Sequence, residues 1–238
     1  MLHTAMKNGL RKLGYVLNRY DSRRDPLVVR KHYLQSHGIN VVFDVGANVG
    51  QFALELRESG YQGKIVSFEP LSSAFRKLAE VAHKDHDWLA EHYALGDKEA
   101  AAEINLAENS WSSSLLDILP AAIKAASNAR YVGKEAISIR TLDAVCQKYC
   151  DSDSRVFLKI DAQGYTRKIL EGGERCLKAL LGLQIEMSLV PLYEGEPLIA
   201  ELVSFLQARG FTLVYIFPEF FDNKTGQQLQ VNGLFFRT

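Results

Sequence analysis

Val41-Val42-Phe43-Asp44-Val45-Gly46-Ala47-Asn48-Val49-Gly50 decides how this chain folds. Its first five residues form an apolar run without strict alternation, the pattern of a parallel strand covered on both faces. Gly46 and Gly50 follow where that strand hands over to a helix. Glycines there let the backbone turn tightly and approach a ligand closely. Glu69 closes the next strand, just before Pro70. An acid at that place accepts hydrogen bonds from both hydroxyls of a ribose. Turn and acid together describe a site for an adenosine-bearing cofactor.

Outward from this stretch, strands and helices alternate. Residues 50–59 read as a helix, 64–68 as a strand, 72–83 as a helix and 88–94 as a strand. That alternation is the signature of a doubly wound parallel sheet. The middle is less regular: an extra strand over 101–106, a polar loop at Trp111-Ser112-Ser113-Ser114-Leu115, and a helix over 117–129 broken at Pro120. A strand over 136–140 and a helix over 142–149 follow. Regularity then returns with strand 156–160, helix 166–179, strand 183–186, helix 196–209, strand 212–217 and a final strand 233–236. No linker divides the chain. The spacing predicts one domain over 39–238 with a basic helical extension over 1–38.

The turn chemistry discriminates between cofactors. A dinucleotide needs Gly-x-Gly-x-x-Gly to bring pyrophosphate onto the helix N-terminus. Position 48 is Asn, so the second glycine is missing. Asp44 places a carboxylate at the strand end, where it repels phosphate and favours the ammonium of a methionine moiety. S-adenosyl-L-methionine carries that ammonium and no phosphate, and it is the expected cofactor.

These stretches, with Ala94-Leu95-Gly96-Asp97, Thr141-Leu142-Asp143 and Leu158-Lys159-Ile160-Asp161-Ala162-Gln163-Gly164-Tyr165 in the same order, resemble the FkbM family of methyltransferases over roughly 40–236. The resemblance implies a Rossmann-like class I methyltransferase fold, an α/β architecture with a mostly parallel seven-stranded sheet, one antiparallel strand near its edge and helices on both faces. It implies O-methylation of a hydroxyl, often on a sugar or secondary metabolite. Carried over by position, Asp44, Gly46, Asn48 and Gly50 match the cofactor turn and Phe52 the aromatic after it. Glu69 matches the ribose acid, followed by Pro70. Ala94, Leu95 and Asp97 match the segment beside adenine, and Asp161 the acid facing the methionine end and the acceptor. Thr166 stands where the family usually has Glu, so a role of that Glu in acceptor or metal binding is altered here.

Methyl transfer from a sulfonium is an in-line displacement, so the protein mainly aligns the acceptor oxygen and excludes water. A neutral hydroxyl also needs a base, which contributes ~10²–10⁴-fold. Asp161, at the carboxyl edge of its strand, is one candidate; its alternative role is to hold the cofactor ammonium. Glu186, ending the next strand, is the second candidate, against a reading as a solvated strand end. His92 reads as a packing or surface residue. Ser114, with Ser112 and Ser113, either touches the cofactor or belongs to an ordinary polar loop. Lys159 reads as the partner of a neighbouring acid. No metal cluster is evident from spacing.

Composition bounds the rest. The chain has 238 residues, 47% of them apolar, enough for a real core. Formal net charge is zero, yet residues 1–38 carry +6 and the remainder balances it. That extension either docks on the acidic body or meets an anionic membrane face. No groove-lining basic patch points to nucleic acid. No run approaches the ~20 apolar residues of a membrane span, and no signal peptide is evident. Cys146, Cys150 and Cys176 read as reduced thiols, and the chain as cytoplasmic. The expected partner is a small-molecule hydroxyl acceptor. Two other functions compete: a nicotinamide-dependent oxidoreductase, and a non-catalytic module that only binds adenosylmethionine.

Overall fold

The computed structural model describes residue 6, residues 9–15 and residues 25–237. Of the helical extension expected over 1–38, residues 9–12 are helical and residues 13–15 are not, while residues 1–5, 7–8 and 16–24 lie outside the described residues. Asp25 caps the first complete helix, α1 (Pro26–Ser36), by accepting from the Leu27 amide at 3.0 Å. Pro26 takes the first helical position, where its missing N–H costs no bond.

Seven strands form the main sheet: β1 (Val41–Val45), β2 (Lys64–Phe68), β3 (Trp88–Glu91), β7 (Val156–Ile160), β8 (Gly182–Ser188), β9 (Phe211–Pro218) and β10 (Gln230–Arg237). Their order is β3-β2-β1-β7-β8-β10-β9. The sheet is mixed, because β10 runs antiparallel to both of its neighbours, β8 and β9. The strand order reverses direction between β1 and β7, which pair in parallel. That reversal opens a crevice at the carboxyl ends of the two strands.

Side chains on β1 alternate between two cores, as the period of a strand demands. Val41, Phe43 and Val45 share one core with residues of α5 (Leu142–Tyr149), α6 (Thr166–Glu171), α7 (Glu174–Ala179) and α8 (Ile199–Gln207). Val42 joins the other core, under α1, α2 (Gln51–Glu58) and α3 (Ser72–Ala82), with Leu34, Phe52, Leu56 and Leu78. Both faces of the sheet are therefore covered, and the continuous apolar run on β1 follows from that.

A second, three-stranded sheet lies beside the crevice. It holds β4 (Ala94–Gly96), β5 (Ala100–Ala107) and β6 (Tyr131–Thr141), in the order β4-β6-β5. The single strand expected over 88–94 is thus two strands in two sheets. β6 is longer than expected because β5 pairs with it as far as Tyr131. Pro120 opens α4 (Pro120–Ala125) rather than breaking a longer helix.

Two further expectations are corrected. The helix expected over 166–179 is split into α6 and α7 at Gly172-Gly173. A Cβ on Gly172 would sit 2.0 Å from the Gly96 carbonyl oxygen, so this turn packs directly on β4. The cysteines are not all free thiols: Cys146 on α5 and Cys176 on α7 are joined, with Cα atoms 5.9 Å apart, and Cys150 stays free. The packing of α5 on α7, distant in sequence, brings Cys146 and Cys176 together. Among the described residues no helix is long and apolar enough to cross a membrane.

Candidate active site

The crevice holds a cleft of about 100 Å³. Its floor is the turn after β1. Gly46 there has φ +71°, and a Cβ on it would lie 1.8 Å from the Asp161 carbonyl oxygen. Only glycine permits so close an approach of two backbones. Asn48 also has positive φ, 49°, a conformation Asn tolerates better than most side chains. In that pose its amide donates to Glu69 Oε2 at 2.8 Å. Glu69 Oε1 accepts from the Leu71 amide at 2.8 Å.

Glu69 is only 4% exposed and lines the cleft. Burial pushes its pKa up to about 7, against the pull of the two amides and of Lys159. An ionised carboxylate has about four lone-pair sites. Two are used by the backbone, and two are left for donors entering the cleft. Apolar side chains, among them Leu71, Ala94, Leu95 and Ile104, form the opposite wall.

Asp161, just beyond β7, borders this cleft and also a second cavity of about 400 Å³. Gln163 and Trp111 are likewise common to both. The Gln163 amide donates to Asp161 Oδ1 at 2.7 Å and to Glu186 Oε2 at 3.1 Å, so one side chain joins the two carboxylates. The Tyr193 hydroxyl donates to Gln163 Oε1 at 2.7 Å and fixes which way that amide points. Burial holds the Tyr193 hydroxyl well above its usual pKa, so it stays a donor. Gln163 has φ 47°, and its carbonyl accepts from Ser114 Oγ at 2.7 Å.

Behind the turn lies a buried ion pair. Lys159 Nζ is 3.1 Å from Asp44 Oδ1 and 3.9 Å from Asp161 Oδ2. It also donates to the Gly46 carbonyl at 3.0 Å. Burial alone would lower the Lys159 pKa; the Asp44 and Asp161 carboxylates outweigh it and raise it. Glu186 is pushed well above the carboxylate range, first by burial and then by the charges of Asp161 and Glu219.

The model of the methyltransferase FkbM domain matches residues 44–213. The chain belongs to the FkbM methyltransferase family. Among solved structures, a methyltransferase FkbM from Methylobacillus flagellatus KT is similar in fold, with 12% identity and a TM-score of 0.51. The match covers 82% of this chain and 43% of that one, so this chain spans less than half of its length. An rRNA methylase from Streptococcus thermophilus matches at 12% identity and a TM-score of 0.48, over 94% and 99% of the two chains. A fibrillarin from Aeropyrum pernix with natively bound S-adenosyl-L-methionine matches at 10% identity and 0.43, over 82% and 66%. No curated protein matches the chain in sequence.

The cofactor-binding residues expected from the sequence divide into two groups in space. Gly46, Asn48, Glu69, Pro70, Ala94, Leu95, Ser114 and Asp161 line the cleft. Asp44, Gly50, Phe52 and Asp97 do not. Asp44 is fully buried and its charge is met by Lys159. This corrects the expectation that it greets a ligand ammonium: a cation from the chain already occupies that place. Gly50 packs against the Trp88 ring, 2.9 Å from where a Cβ would be. Phe52 is held under Arg30 and Lys159, 4.6 and 5.6 Å from its ring centre. Asp97 pairs with Lys168 at 3.2 Å. Thr166, the departure from the FkbM pattern, is buried in the first turn of α6 and borders neither cavity. His92 stacks on Phe75 with ring centres 4.4 Å apart, a packing role.

Glu186 borders the second cavity rather than the cleft. Gln163, Glu219 and Gln230 are among the residues there that were not singled out from the sequence. Gln163 carried a signal, since it lies between Asp161 and Gly164 in a turn after a buried strand. Glu219 and Gln230 stand at the β9–β10 hairpin and reach the site only through the antiparallel pairing of β10. Among the described residues no three acids, histidines or cysteines are placed to share a metal ion.

Proposed function

We propose that this FkbM-family chain is an S-adenosyl-L-methionine-dependent O-methyltransferase acting on a hydroxyl of a small molecule, with a polyhydroxylated, sugar-like acceptor as the class that fits best. One observation carries the reading: Asp161 and Gln163 form the shared wall between a cleft that presents a buried acid and a second, roomier cavity.

The residues present fit an adenosine-bearing group. The two free lone-pair sites on Glu69 suit the two hydroxyls of a ribose, and Leu71, Ala94, Leu95 and Ile104 offer an apolar slot for a base. The turn at Gly46 would receive the amino-acid end. When bound, adenosylmethionine supplies an electrophilic methyl group on a sulfonium.

The chain's own residues do the remainder. Asp161 is the better base of the two carboxylates, because Glu186 is pushed toward its neutral form. Its Oδ1 is held by Gln163, and its side chain is 41% exposed. Oδ2 is then the atom that takes the acceptor's proton. Gln163, clamped by Tyr193 and Ser114, fixes the orientation of that carboxylate. Trp111, on the rim of both cavities, excludes water from the junction.

The test is calorimetry with adenosylmethionine and adenosylhomocysteine. Micromolar binding abolished by Glu69→Ala is expected. A folded protein that binds neither, or that binds NAD instead, rejects the proposal. Binding without adenosylhomocysteine release over a hydroxyl panel points to the non-catalytic module.

A further inference from the structure

The second cavity is acidic and aromatic at once. Asp161, Glu186 and Glu219 line it, together with Trp111, Tyr193 and Phe220. Neither lysine nor arginine is among its lining residues. The nearest cation, Lys159, lies behind Asp161 and is already paired with Asp44.

The hydrogen bonding leaves acceptor capacity unused. Gln163 and Gln230 both donate to Glu186 Oε2, at 3.1 and 2.8 Å. Oε1 receives nothing from the described residues. Glu219 accepts from Asn232 Nδ2 at 2.7 Å on Oε2. The crowding is also visible in charge. Partial desolvation in the cavity and the Asp161 charge raise Glu219 from its ordinary value although the residue is exposed, and Glu186 is raised by burial and by both neighbours. Three acids sharing one cavity are costly to ionise together unless a cation enters. Aromatic faces on the same wall attract such a cation further.

We infer that this cavity recognises its acceptor through a positively charged amino group, received by Glu219 and Glu186 among the rings of Trp111 and Phe220, while a hydroxyl of the same molecule is presented to Asp161. The substrate class is therefore a hydroxylated amine such as an amino sugar, and phosphorylated or carboxylated acceptors are rejected. This rests on the reading of the second cavity as the acceptor site, and Glu219 is its specificity-determining residue.

The experiment titrates D-glucosamine, D-glucose and D-glucose 6-phosphate at pH 7 into the protein, with and without saturating adenosylhomocysteine. Glucosamine is expected to bind at least about tenfold tighter than glucose, and glucose 6-phosphate weakest of the three. Glu219→Gln should bring glucosamine to within about twofold of glucose while leaving adenosylhomocysteine affinity unchanged. Trp111→Ala, at a side chain 66% exposed and so harmless to folding, should weaken glucosamine by about two- to fivefold. Equal binding of glucosamine and glucose marks a neutral polyol site and overturns the inference. Tightest binding of the phosphate, or binding of none, overturns it as well. Loss of adenosylhomocysteine binding alone would reject the methyltransferase reading; a glucosamine preference retained by the cofactor-free protein would still uphold the amine site.

Discussion

Adenosylhomocysteine affinity should fall as pH drops from 8 to 6, and Glu69 sets the size of the fall. Its carboxylate is buried, and two of its lone-pair sites are occupied by the Asn48 and Leu71 amides. Burial lifts its pKa to about 7. Ribose hydroxyls donate, so they bind the ionised form, and protonation removes an acceptor they need. The sign follows: a ligand that needs the carboxylate binds fully above pH 7 and loses affinity below it. At pH 6 about one molecule in ten retains the carboxylate, and apparent Kd scales inversely with that fraction. Between pH 8 and pH 6 the Kd should therefore rise ~10-fold, equal to ~1.4 kcal/mol. Calorimetric titration at half-unit pH intervals measures it. Glu69→Gln keeps the outline and removes the titrating group, so its profile isolates any contribution from the ligand's own amine. A wild-type Kd unchanged across this window, in protein shown to be folded, would refute the placement of ribose on Glu69.

Other predictions concern the framework of the site. Gly46→Ala forces a Cβ toward the Asp161 carbonyl and should cost about 3 kcal/mol or more in urea unfolding, with loss of cofactor binding; near wild-type stability would contradict the close backbone packing. Lys159→Met strands the buried Asp44 carboxylate and should cost ~3–5 kcal/mol, and adding Asp44→Asn should recover part of it. If the double variant is as unstable as the sum of the singles, the pair is not coupled. Asp161→Asn should lower turnover ~10²–10⁴-fold with any acceptor found, while adenosylhomocysteine affinity moves little; unchanged turnover would remove it as the base. Thiol titration of unfolded, non-reduced protein should count one free thiol, Cys150, and a count of three would remove the Cys146–Cys176 bond.

Much of the fold was legible because its local signals agree. The apolar runs over 41–45, 64–68 and 156–160 coincide with strands, since strands covered on both faces need no alternation. The helix over 142–149 was legible too, where Thr141 caps the Ala144 amide at 3.2 Å. Illegible features depend on contacts distant in sequence. Gly172-Gly173 interrupts a helical pattern because β4 presses on it, a fact no window around 172 contains. The split of 88–94 into two sheets arises from β6 pairing with Ala94, 45 residues away in register with Ile139.

The residues of the cleft were more legible in the sequence than those of the second cavity. Glu69 and Gly46 announce themselves by position relative to strand ends. Asp44 looked equivalent in sequence, yet strand alternation turns it toward Lys159 instead of the cleft. The wall of the second cavity is assembled from segments 110 residues apart, such as Asn109 and Glu219, and only the sheet order brings them together.

At Gly46 two loops touch main chain to main chain, with no side chain between them to act as a cushion. The spacing between whatever rests on the first loop and the carboxylate borne by the second is accordingly written into peptide geometry, not into rotamers. Evolution can reshape the outer hairpin and the Trp111 loop to admit new molecules without retuning that gap. An engineer seeking a different acceptor should do the same and leave both loops alone.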